Sequence, residues 1–423
     1  MSQTHPVASI WAATATPAPE TPALAGDHRA DVTVIGAGFT GLAAALRLAQ
    51  GGATVRVLDA GAPGFGASGR NGGQVIPGLK LDPDALDAQF GEATTDFVGR
   101  AADVAFRLIE THAIACEPRR SGWIQASVKT SHLPTLERRA AAWAKRGASV
   151  EVLDAAAMAR ATGGTGFAGG WLDRRAGALH PLNYARGLAR AALAAGAQIH
   201  GASRATRLTP QGKGWLVETE AGARVTSDQV VLATNGYTDG LWPGLRATVI
   251  PAHSFQVATQ PLDAALLAQI LPGGSVVSDT RRIGNYFRIG PGNRLMMGGR
   301  GSFAEPRSVA DYGRIIAALH AIFPQSRTLG LEFQWAGRVA MTPDHLPHIH
   351  RPAPNLTIAL GYNGRGVALA SAMGDVIGAH LLDPSVRLPL TVSPLRPLPL
   401  HGLHPLYATA AIWYYRLRDA LER

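Results

Sequence analysis

Three glycines and one aspartate have the spacing of a dinucleotide-binding turn. Gly36, Gly38 and Gly41 form a G-x-G-x-x-G sequence, and Asp59 follows 18 residues after the last of them. The first glycine permits a tight turn, the second lets the backbone approach a pyrophosphate, and the third lets a helix pack closely on a strand. Asp59 is placed to accept a hydrogen bond from a ribose hydroxyl. The sequence therefore predicts a dinucleotide whose phosphates face the amino terminus of a helix.

A second glycine-rich run indicates that the dinucleotide is FAD rather than NAD. Residues 64–74 contain five glycines and directly follow the next predicted strand. We expect this backbone to lie against a flat ring system, with Arg70, Asn71 and Gln74 supplying polar contacts. A further strand and glycine turn, at 358–366, begins a helix whose amino terminus can stabilise negative charge on the flavin ring.

The elements around these motifs predict an α/β arrangement. Residues 31–35 and 54–58 read as short buried strands, and the segment between them has an apolar helical face. The intervening regions alternate apolar and polar residues, as strands of an antiparallel sheet with one covered face do. The predicted fold class is α/β combined with α+β. A Rossmann-type FAD-binding domain is assembled from discontinuous segments, and the inserted substrate domain is built on an antiparallel or mixed sheet.

The predicted boundaries divide the chain into four parts. The FAD-binding domain is assigned 29–75, 151–244 and 351–390, and the substrate-binding domain 76–150 and 245–350. Residues 1–28 are an N-terminal arm, and 391–423 are a C-terminal tail. Residues 408–423 of the tail are predicted as an amphipathic helix with Trp413, Tyr414 and Leu417 on one side, packed on the protein itself rather than on a membrane.

Composition and charge argue against several classes of protein. The net charge is +10, but no run of five or six like charges occurs, so nucleic acid is not an expected partner. The single cysteine, Cys116, excludes a disulfide framework within one chain and suits a reducing compartment, so we expect the cytoplasm. The sequence contains no stretch of 18 consecutive apolar residues, so no transmembrane segment is predicted. A monomer or homodimer is expected.

Together these motifs resemble the D-amino acid oxidase/sarcosine oxidase superfamily of FAD enzymes, and most closely its γ-glutamylputrescine oxidase group. The resemblance covers nearly the whole chain. It is carried by the runs at 36–41, 67–74, 231–235, 279–281, 286–288, 294–299, 361–366 and 414–419. It implies a two-domain fold, FAD as cofactor, and oxidation of a carbon–nitrogen bond to an imine that water hydrolyses. It also implies that the backbone of Ala205 lies beside the adenine.

The predicted cofactor contacts combine the glycine turns with the residues that the resemblance adds. They are Gly36, Gly38, Phe39, Thr40, Gly41, Asp59, Ala60, Ala67, Ser68, Arg70, Asn71, Gly72, Gly73, Gln74, Ala205, Ala233, Thr234, Asn235, Gly361, Tyr362, Gly364, Gly366 and Val367.

Two departures from the family pattern affect the chemistry. Sarcosine oxidases attach FAD through a cysteine in the segment matching 337–341, and this segment has none, so we expect FAD to be bound non-covalently. Sarcosine oxidases also place a lysine above the flavin to activate oxygen, and the matching strand, 295–298, has none. The electron acceptor, O2 or another, is therefore open.

Four residues are candidates for catalysis and substrate binding. His253 is the first candidate base, with a histidine merely packed at a strand start as the competing interpretation. Arg338 or Arg288 is predicted to bind a substrate carboxylate, as an arginine near the first position does in amino acid oxidases of the superfamily, although a structural salt bridge is equally open. Tyr286, with Trp335, is predicted to form a ring wall. The spacing of the histidines between 345 and 350 fits no zinc site, so no metal is predicted.

The leading functional interpretation is an amine oxidase of putrescine catabolism. Its substrate is a γ-glutamylputrescine-like or related amine, possibly carboxylated, and reoxidation by O2 yields hydrogen peroxide. One alternative is a D-amino acid or N-methyl amino acid dehydrogenase that uses another electron acceptor. A second alternative is a flavin-binding protein without turnover.

Overall fold

The computed structural model describes residues 9–421, and two large sheets with helices on their faces account for most of them. The helices are α1 (Ile10–Thr14), α2 (Phe39–Gln50), α3 (Pro83–Phe90), α4 (Glu92–Gly99), α5 (Ala101–Thr111), α6 (Leu133–Lys145), α7 (Ala155–Thr162), α8 (Pro181–Ala194), α9 (Ala264–Gln269), α10 (Gly313–Ile322), α11 (Gly366–Leu382) and α12 (His404–Leu421).

The strands are β1 (Asp27–Ile35), β2 (Val55–Leu58), β3 (Gln74–Val75), β4 (Trp123–Ser127), β5 (Val150–Asp154), β6 (Gly169–Asp173), β7 (Gly177–Ala178), β8 (Gln198–His200), β9 (Ala205–Gln211), β10 (Gly214–Thr219), β11 (Arg224–Leu232), β12 (Ile250–Pro261), β13 (Val276–Asp279), β14 (Asn285–Gly290), β15 (Arg294–Arg300), β16 (Leu331–Met341), β17 (His348–Ala353) and β18 (Leu356–Leu360).

The first sheet carries the predicted dinucleotide turns. Its order is β17-β18-β11-β1-β2-β8, and β9 and β10 form an antiparallel extension of β11. Strand β1 is parallel to both β2 and β11, and β11 is parallel to β18. Because the carboxyl ends of parallel strands meet at one edge of a sheet, the turns that follow these strands converge there. Helices α2, α8 and α11 cover one face of the sheet and share its apolar core.

The second sheet is mostly antiparallel, with the order β16-β12-β15-β14-β13-β4-β6-β5. Alternate residues of its central strands, such as Phe255, Val257 and Met297, are buried in a second core. Helix α10 closes that core with Ile315 and Leu319. The opposite face is buried too, because Ala258 and Met296 pack in another cluster with Trp11. The prediction of a single covered face is therefore wrong for these central strands.

Sheet pairing differs from the predicted domain boundaries at two places. Residues 151–244 were assigned to the FAD-binding domain, but β5 and β6 hydrogen-bond with each other and β6 with β4, so they belong to the second sheet. Residues 76–150 were assigned to the substrate domain, but α3 and α5 bury Leu86, Phe106 and Ile109 in the core of the first sheet. The apolar face of α5 packs on α11, a contact between distant segments that local sequence patterns do not report.

The N-terminal arm is part of the fold rather than a loose extension. Strand β1 begins at Asp27, and the side chains of Ile10 and Trp11 in α1 are fully buried. Residues 1–8 of the predicted arm lie outside the described residues. The chain ahead of the first glycine turn therefore contributes to the core.

The predicted C-terminal helix is present as α12, with its last two predicted residues outside the described part. Its exposed side carries Trp413 and Leu417, whose exposed fractions are 66% and 57%. The side that packs on the protein carries Ala411, Ile412 and Tyr415. The prediction that the side with Trp413, Tyr414 and Leu417 packs on the protein is therefore wrong. None of the helices described between residues 9 and 421 is both long and apolar enough to cross a bilayer.

Candidate cofactor and substrate cavity

One large cavity lies where the carboxyl edge of the first sheet meets the second sheet. Its volume is about 1410 Å³, above the roughly 300–1,000 Å³ typical of a single ligand pocket. The turns after β1, β2, β11 and β18 line one part, which we call the cofactor half. Residues of β12, β14, β15, β16, α6 and α12 line the other part, which we call the substrate half. We include in it Lys80, from the β3–α3 connection, and Arg365, although Arg365 belongs to the turn after β18. The cavity is large enough for a dinucleotide and a second molecule.

The glycine turn after β1 has no room for side chains. Gly36 has a φ of +110°, and a Cβ atom there would lie 2.8 Å from the carbonyl oxygen of Ala233. A Cβ atom at Gly41 would lie 1.9 Å from the carbonyl oxygen of Gly36, so helix α2 packs directly on its own turn. A Cβ atom at Gly38 would lie 2.9 Å from Oγ of Ser68. The predicted roles of Gly36 and Gly41 are therefore matched by a close approach of backbone, whereas the close neighbour of Gly38 is the side chain of Ser68.

Two side chains organise the amino terminus of α2. Oγ of Ser68 accepts a hydrogen bond from the Phe39 backbone N–H at 3.0 Å. The Asp59 carboxylate accepts from the N–H groups of Ala37 at 2.6 Å and Gly61 at 2.8 Å. Burial raises the pKa of Asp59, and these two backbone donors oppose the shift. Because each carboxylate oxygen has a second lone pair, Asp59 can still accept from a ribose hydroxyl.

The glycine-rich loop at 64–74 uses its polar side chains mainly to brace itself. The Asn71 amide nitrogen donates to the carbonyl oxygens of Ala67 and Ser68, at 3.1 and 2.9 Å, and its oxygen accepts from the Gly73 N–H at 2.8 Å. Nε2 of Gln74 donates to the Val277 carbonyl oxygen at 3.2 Å and so ties the loop to the second sheet. Both residues line the cavity. The polar atoms of Asn71 and the amide nitrogen of Gln74 are engaged with protein, so only Oε1 of Gln74 is open for a predicted flavin contact.

Arg288 does not reach the cavity, so its predicted role as a carboxylate ligand lacks the necessary position. Its guanidinium Nη1 donates to the carbonyl oxygens of Gly73 at 2.9 Å and Leu179 at 2.8 Å, and Nε donates to that of Ile289. Burial lowers the pKa of Arg288 to about 10. An arginine next to a glycine-rich loop can satisfy carbonyl oxygens that water cannot reach, and this one holds the flavin-side loop in place.

Two tryptophans form hydrogen bonds with the backbone of the same loop. Nε1 of Trp335 donates to the carbonyl oxygen of Arg70 at 3.0 Å. Nε1 of Trp11, from the N-terminal helix, donates to the carbonyl oxygen of Asn71 at 2.8 Å. Both indoles are fully buried and neither lines the cavity, so Trp335 is a support for the loop and not the predicted ring wall.

All but three of the predicted cofactor residues line the cavity. The exceptions are the glycines Gly41, Gly73 and Gly361, each of which packs against protein instead. The backbone N–H of Gly361 donates to Oδ1 of Asn235 at 2.9 Å, which joins the turns after β11 and β18. The cavity-lining set is Gly36, Gly38, Phe39, Thr40, Asp59, Ala60, Ala67, Ser68, Arg70, Asn71, Gly72, Gln74, Ala205, Ala233, Thr234, Asn235, Tyr362, Gly364, Gly366 and Val367.

His253 and Arg338 lie opposite each other on neighbouring strands and share an acid that the sequence did not reveal. Nε2 of His253 is 3.1 Å from Oε1 of Glu305, and Nη2 of Arg338 is 3.3 Å from the same oxygen. The hydrogen bond from His253 lowers the pKa of Glu305. Nδ1 of His253 is buried and has no partner within residues 9–421. Neither ring nitrogen is therefore open to a substrate, and the geometry does not support His253 as a direct base.

Tyr286 forms a wall between the two halves of the cavity. Its hydroxyl is 2.8 Å from Oγ of Ser254, and its ring lies so close to Gly72 and Gly298 that a Cβ atom would meet it at 2.6 and 2.2 Å. Burial raises the pKa of Tyr286, so its hydroxyl stays protonated. Arg338 also lines the cavity, with its guanidinium 5.2 Å from the ring of Tyr237.

Sequence reasoning missed several residues of the substrate half. Lys80, Arg300 and Arg365 line it, although they come from three separate segments. Tyr407 and Tyr415 of α12 line its edge. Oδ1 of Asp419 lies 2.9 Å from Nη1 of Arg282, so the end of α12 is fastened beside the opening. Arg365 and Tyr415 lie in runs that carry the family resemblance, but only the tertiary fold shows that they share a cavity with Lys80 and Arg300.

Comparison with known proteins identifies the family. A family model described as FAD dependent oxidoreductase matches residues 31–379. The chain belongs to this family. It is 32% identical over 410 residues to the probable oxidoreductase OrdL of Haemophilus influenzae, covering 94% of each chain. It is also 32% identical over 403 residues to the gamma-glutamylputrescine oxidoreductase of Escherichia coli, covering 92% of this chain and 93% of that protein.

A solved structure supports the fold of this FAD-dependent oxidoreductase. Glycine oxidase from Geobacillus kaustophilus superposes with a TM-score of 0.73 at 20% identity, over 88% of this chain and 99% of that one. The predicted family and the mixed α/β fold are therefore confirmed. The cofactor half also fits FAD on its own geometry, because the Gly36 and Gly38 turn admits only backbone where a pyrophosphate would approach.

Proposed function

We propose that this FAD-dependent oxidoreductase oxidises a carbon–nitrogen bond of an amine to an imine, which water hydrolyses to an aldehyde. The observation that carries the proposal is that a single cavity joins a dinucleotide cradle to a second compartment bounded by Tyr286 and Arg338. The name of the Escherichia coli relative makes a γ-glutamylated amine the first substrate to test.

FAD, when bound, would supply a two-electron acceptor for the hydride on the carbon α to nitrogen, and O2 or another acceptor would take up the electrons. The nitrogen must lose its proton before the hydride leaves. An amine with a pKa of about 10 is neutral in roughly one part per thousand at pH 7, a cost of about 4 kcal/mol. The positive lining of the cavity disfavours a bound ammonium ion, so the cost of deprotonation falls on binding rather than on the hydride step.

The protein supplies shape and positioning. Tyr286 presents a ring face and a protonated hydroxyl to the compartment, which suits an aliphatic chain with a polar end. Arg338 keeps one contact with Glu305 and has donors left for a carboxylate. Since His253 is committed to Glu305, bulk water admitted to the cavity, rather than a histidine, is the proton acceptor in this proposal.

We further propose that FAD is held without a covalent bond and that the protein works in the cytoplasm. Cys116 is the only cysteine of the sequence, and its side chain is fully buried outside the cavity. Burial raises the pKa of its thiol to about 12, which leaves it protonated and unreactive. Acid precipitation should release all of the flavin into the supernatant, and flavin retained on the protein would contradict this assignment.

An anaerobic screen tests the activity. Purified protein is mixed with γ-glutamylputrescine, free putrescine, D-amino acids and N-methyl amino acids, and the loss of flavin absorbance is followed. We expect bleaching by the γ-glutamylated amine. Bleaching by dithionite but by no amine would contradict the proposal and leave the non-catalytic flavin-binding alternative.

A dehydrogenase is the second candidate, favoured by the absence of lysine from 295–298, where sarcosine oxidases activate oxygen. Stopped-flow reoxidation of the reduced protein by O2 separates the two. A rate near that of free flavin would favour a dehydrogenase that passes electrons elsewhere, and a much faster rate would favour an oxidase.

A further inference from the structure

Three basic residues meet in one wall of the substrate half. Lys80 lies in the connection between β3 and α3, Arg300 ends β15, and Arg365 precedes the first residue of α11. All three line the cavity. Nη1 of Arg365 donates to the carbonyl oxygen of Pro77 at 2.9 Å, which holds this arginine beside the segment that carries Lys80.

Unlike most other arginines that line the cavity, Lys80, Arg300 and Arg365 have no acidic partner among the described residues. Arg204 is paired with Asp239, Arg281 with Asp279 and Arg338 with Glu305. Within residues 9–421, no carboxylate forms an ion pair with Lys80, Arg300 or Arg365. The structure thus neutralises several cations around the cavity and leaves this group uncompensated.

The two arginines are surrounded by apolar or already bonded groups, whereas Lys80 is exposed. The Arg300 guanidinium lies 5.2 Å from the ring of Phe303, and its Nε is buried with no hydrogen-bond partner among the described residues. The Arg365 guanidinium lies 5.0 Å from the ring of Trp123. A hydrogen-bond donor that is removed from water and has no partner is unfavourable, unless a ligand supplies an acceptor.

Mutual repulsion is the second sign of a missing anion. Desolvation by the surrounding protein first, and then the charges of Arg365 and Arg300, lower the pKa of Lys80 to about 8. Burial lowers the pKa of Arg300 to about 10. The same desolvation strengthens the attraction of this group for an anion.

We propose that Lys80 and Arg300 form a carboxylate-binding subsite, which holds the carboxylate of an amine substrate at the end remote from the oxidised carbon. This inference rests on the proposed function, since it places an amine substrate in the same cavity. The phosphates of FAD have their own site at the amino terminus of α2, built by other segments of the chain. Lysine and arginine together suit a carboxylate, which accepts hydrogen bonds through both oxygens.

Calorimetric titration of the FAD-loaded protein with glutarate tests the subsite without turnover. We expect glutarate to bind, and its uncharged analogue glutaramide to bind at least about tenfold more weakly. Lys80→Gln and Arg300→Gln should each weaken glutarate about tenfold or more, while Lys80→Arg keeps the affinity within about threefold.

Matched controls remove the same charge outside the cavity. Lys213 and Arg327 are exposed on the surface, so Lys213→Gln and Arg327→Gln should leave glutarate affinity unchanged. Equal binding of glutarate to Lys80→Gln, Arg300→Gln and their controls would overturn the proposal. So would inorganic phosphate that binds more tightly than glutarate and depends on Lys80, because the site would then be one for phosphate.

Flavin content and amine bleaching are measured on the same samples. Loss of FAD from Lys80→Gln would assign the basic group to the cofactor and overturn the subsite. If amines bleach the flavin of the native protein but glutarate affinity is unchanged in Lys80→Gln and Arg300→Gln, the subsite is wrong and the proposed function stands. If no amine bleaches the flavin, the proposed function itself is wrong.

Discussion

The cofactor half and the substrate half of the cavity are built in different ways. The cofactor half consists of backbone at turns where even a Cβ atom has no room, as at Gly36 and Gly41. The substrate half consists of long side chains, among them Lys80 and Arg300, that come from separate segments. A site made of backbone needs glycine at fixed spacings, so it leaves a pattern in the sequence. A site made of side chains leaves none, and its residues are expected to tolerate substitution with loss of function rather than of fold.

The largest effect that this comparison predicts is at Gly41. Gly41→Ala places a methyl group 1.9 Å from the carbonyl oxygen of Gly36, so α2 must move away from its turn. We expect a loss of about 3 kcal/mol in the free energy of unfolding, measured in urea, and loss of bound flavin. Gly313→Ala is the control, because nothing lies within 4 Å of its Cβ position. A native flavin content in Gly41→Ala would contradict the claim that the cofactor half requires glycine at this position.

The N-terminal helix supports the cofactor half. Trp11→Ala removes a fully buried indole together with its hydrogen bond to the carbonyl oxygen of Asn71. We expect a loss of roughly 3 kcal/mol in unfolding free energy and weaker FAD binding, measured by quenching of flavin fluorescence. Trp413→Ala, at a position 66% exposed, should change stability by no more than about 0.5 kcal/mol. Equal effects at the two tryptophans would refute a supporting role for α1.

Arg288 should behave as a structural residue. Arg288→Met leaves the carbonyl oxygen of Leu179 without its donor and that of Gly73 with only the Leu179 N–H, so stability should fall by about 2 kcal/mol. The KM of whichever amine proves active should stay unchanged. A rise in KM for carboxylated amines, with no change in melting temperature, would return Arg288 to the substrate site.

Arg338 should behave in the opposite way. Arg338→Lys keeps the charge but loses the planar pair of donors that fits a carboxylate. We expect KM for a carboxylated amine to rise about tenfold, equivalent to about 1.4 kcal/mol, at unchanged stability. An unchanged KM for every active carboxylated amine would exclude Arg338 from substrate binding.

The smallest predicted effect is a pH dependence of anion binding. The pKa of Lys80 is lowered to about 8, so its positive charge is present below that pH and is lost as the pH rises through it. Arg300 and Arg365 keep their charge there, and His345, whose pKa is also lowered, is already neutral. Glutarate affinity should therefore fall about fivefold or more between pH 7 and 9 in the native protein. It should stay constant in Lys80→Arg, and a fall of equal size in that variant would assign the titration to another group.

The sequence was sufficient for the parts of the fold where local spacing dictates structure. The strand, turn and helix around Gly36 to Asp59 were predicted correctly because glycine positions and apolar runs determine them. A flavin contact was predicted for Asn71, but a glycine-rich loop must satisfy its own backbone, and Asn71 does this. The contacts predicted for Arg70 and Gln74 stay predictions. Strands β5 and β6 were assigned to the wrong sheet because pairing partners lie far apart in sequence.

The substrate half was less accessible to sequence reasoning for the same reason. The family pattern places a lysine on the strand at 295–298, whereas in this protein Lys80 lines the cavity from the β3–α3 connection. Glu305, which joins His253 to Arg338, lies in a connection with no motif around it. Such residues become candidates only when the two sheets are placed together.

Titration of the flavin-free protein with FAD, followed by quenching of flavin fluorescence, tests the central claim most directly. The account predicts saturation at one FAD per chain, loss of that binding in Gly41→Ala, and full retention of it in Lys80→Gln and Arg300→Gln. A native protein that takes up no flavin, or a loss of FAD from the two basic variants equal to that from Gly41→Ala, would contradict the division of the cavity into a backbone-built cofactor half and a side-chain-built substrate half.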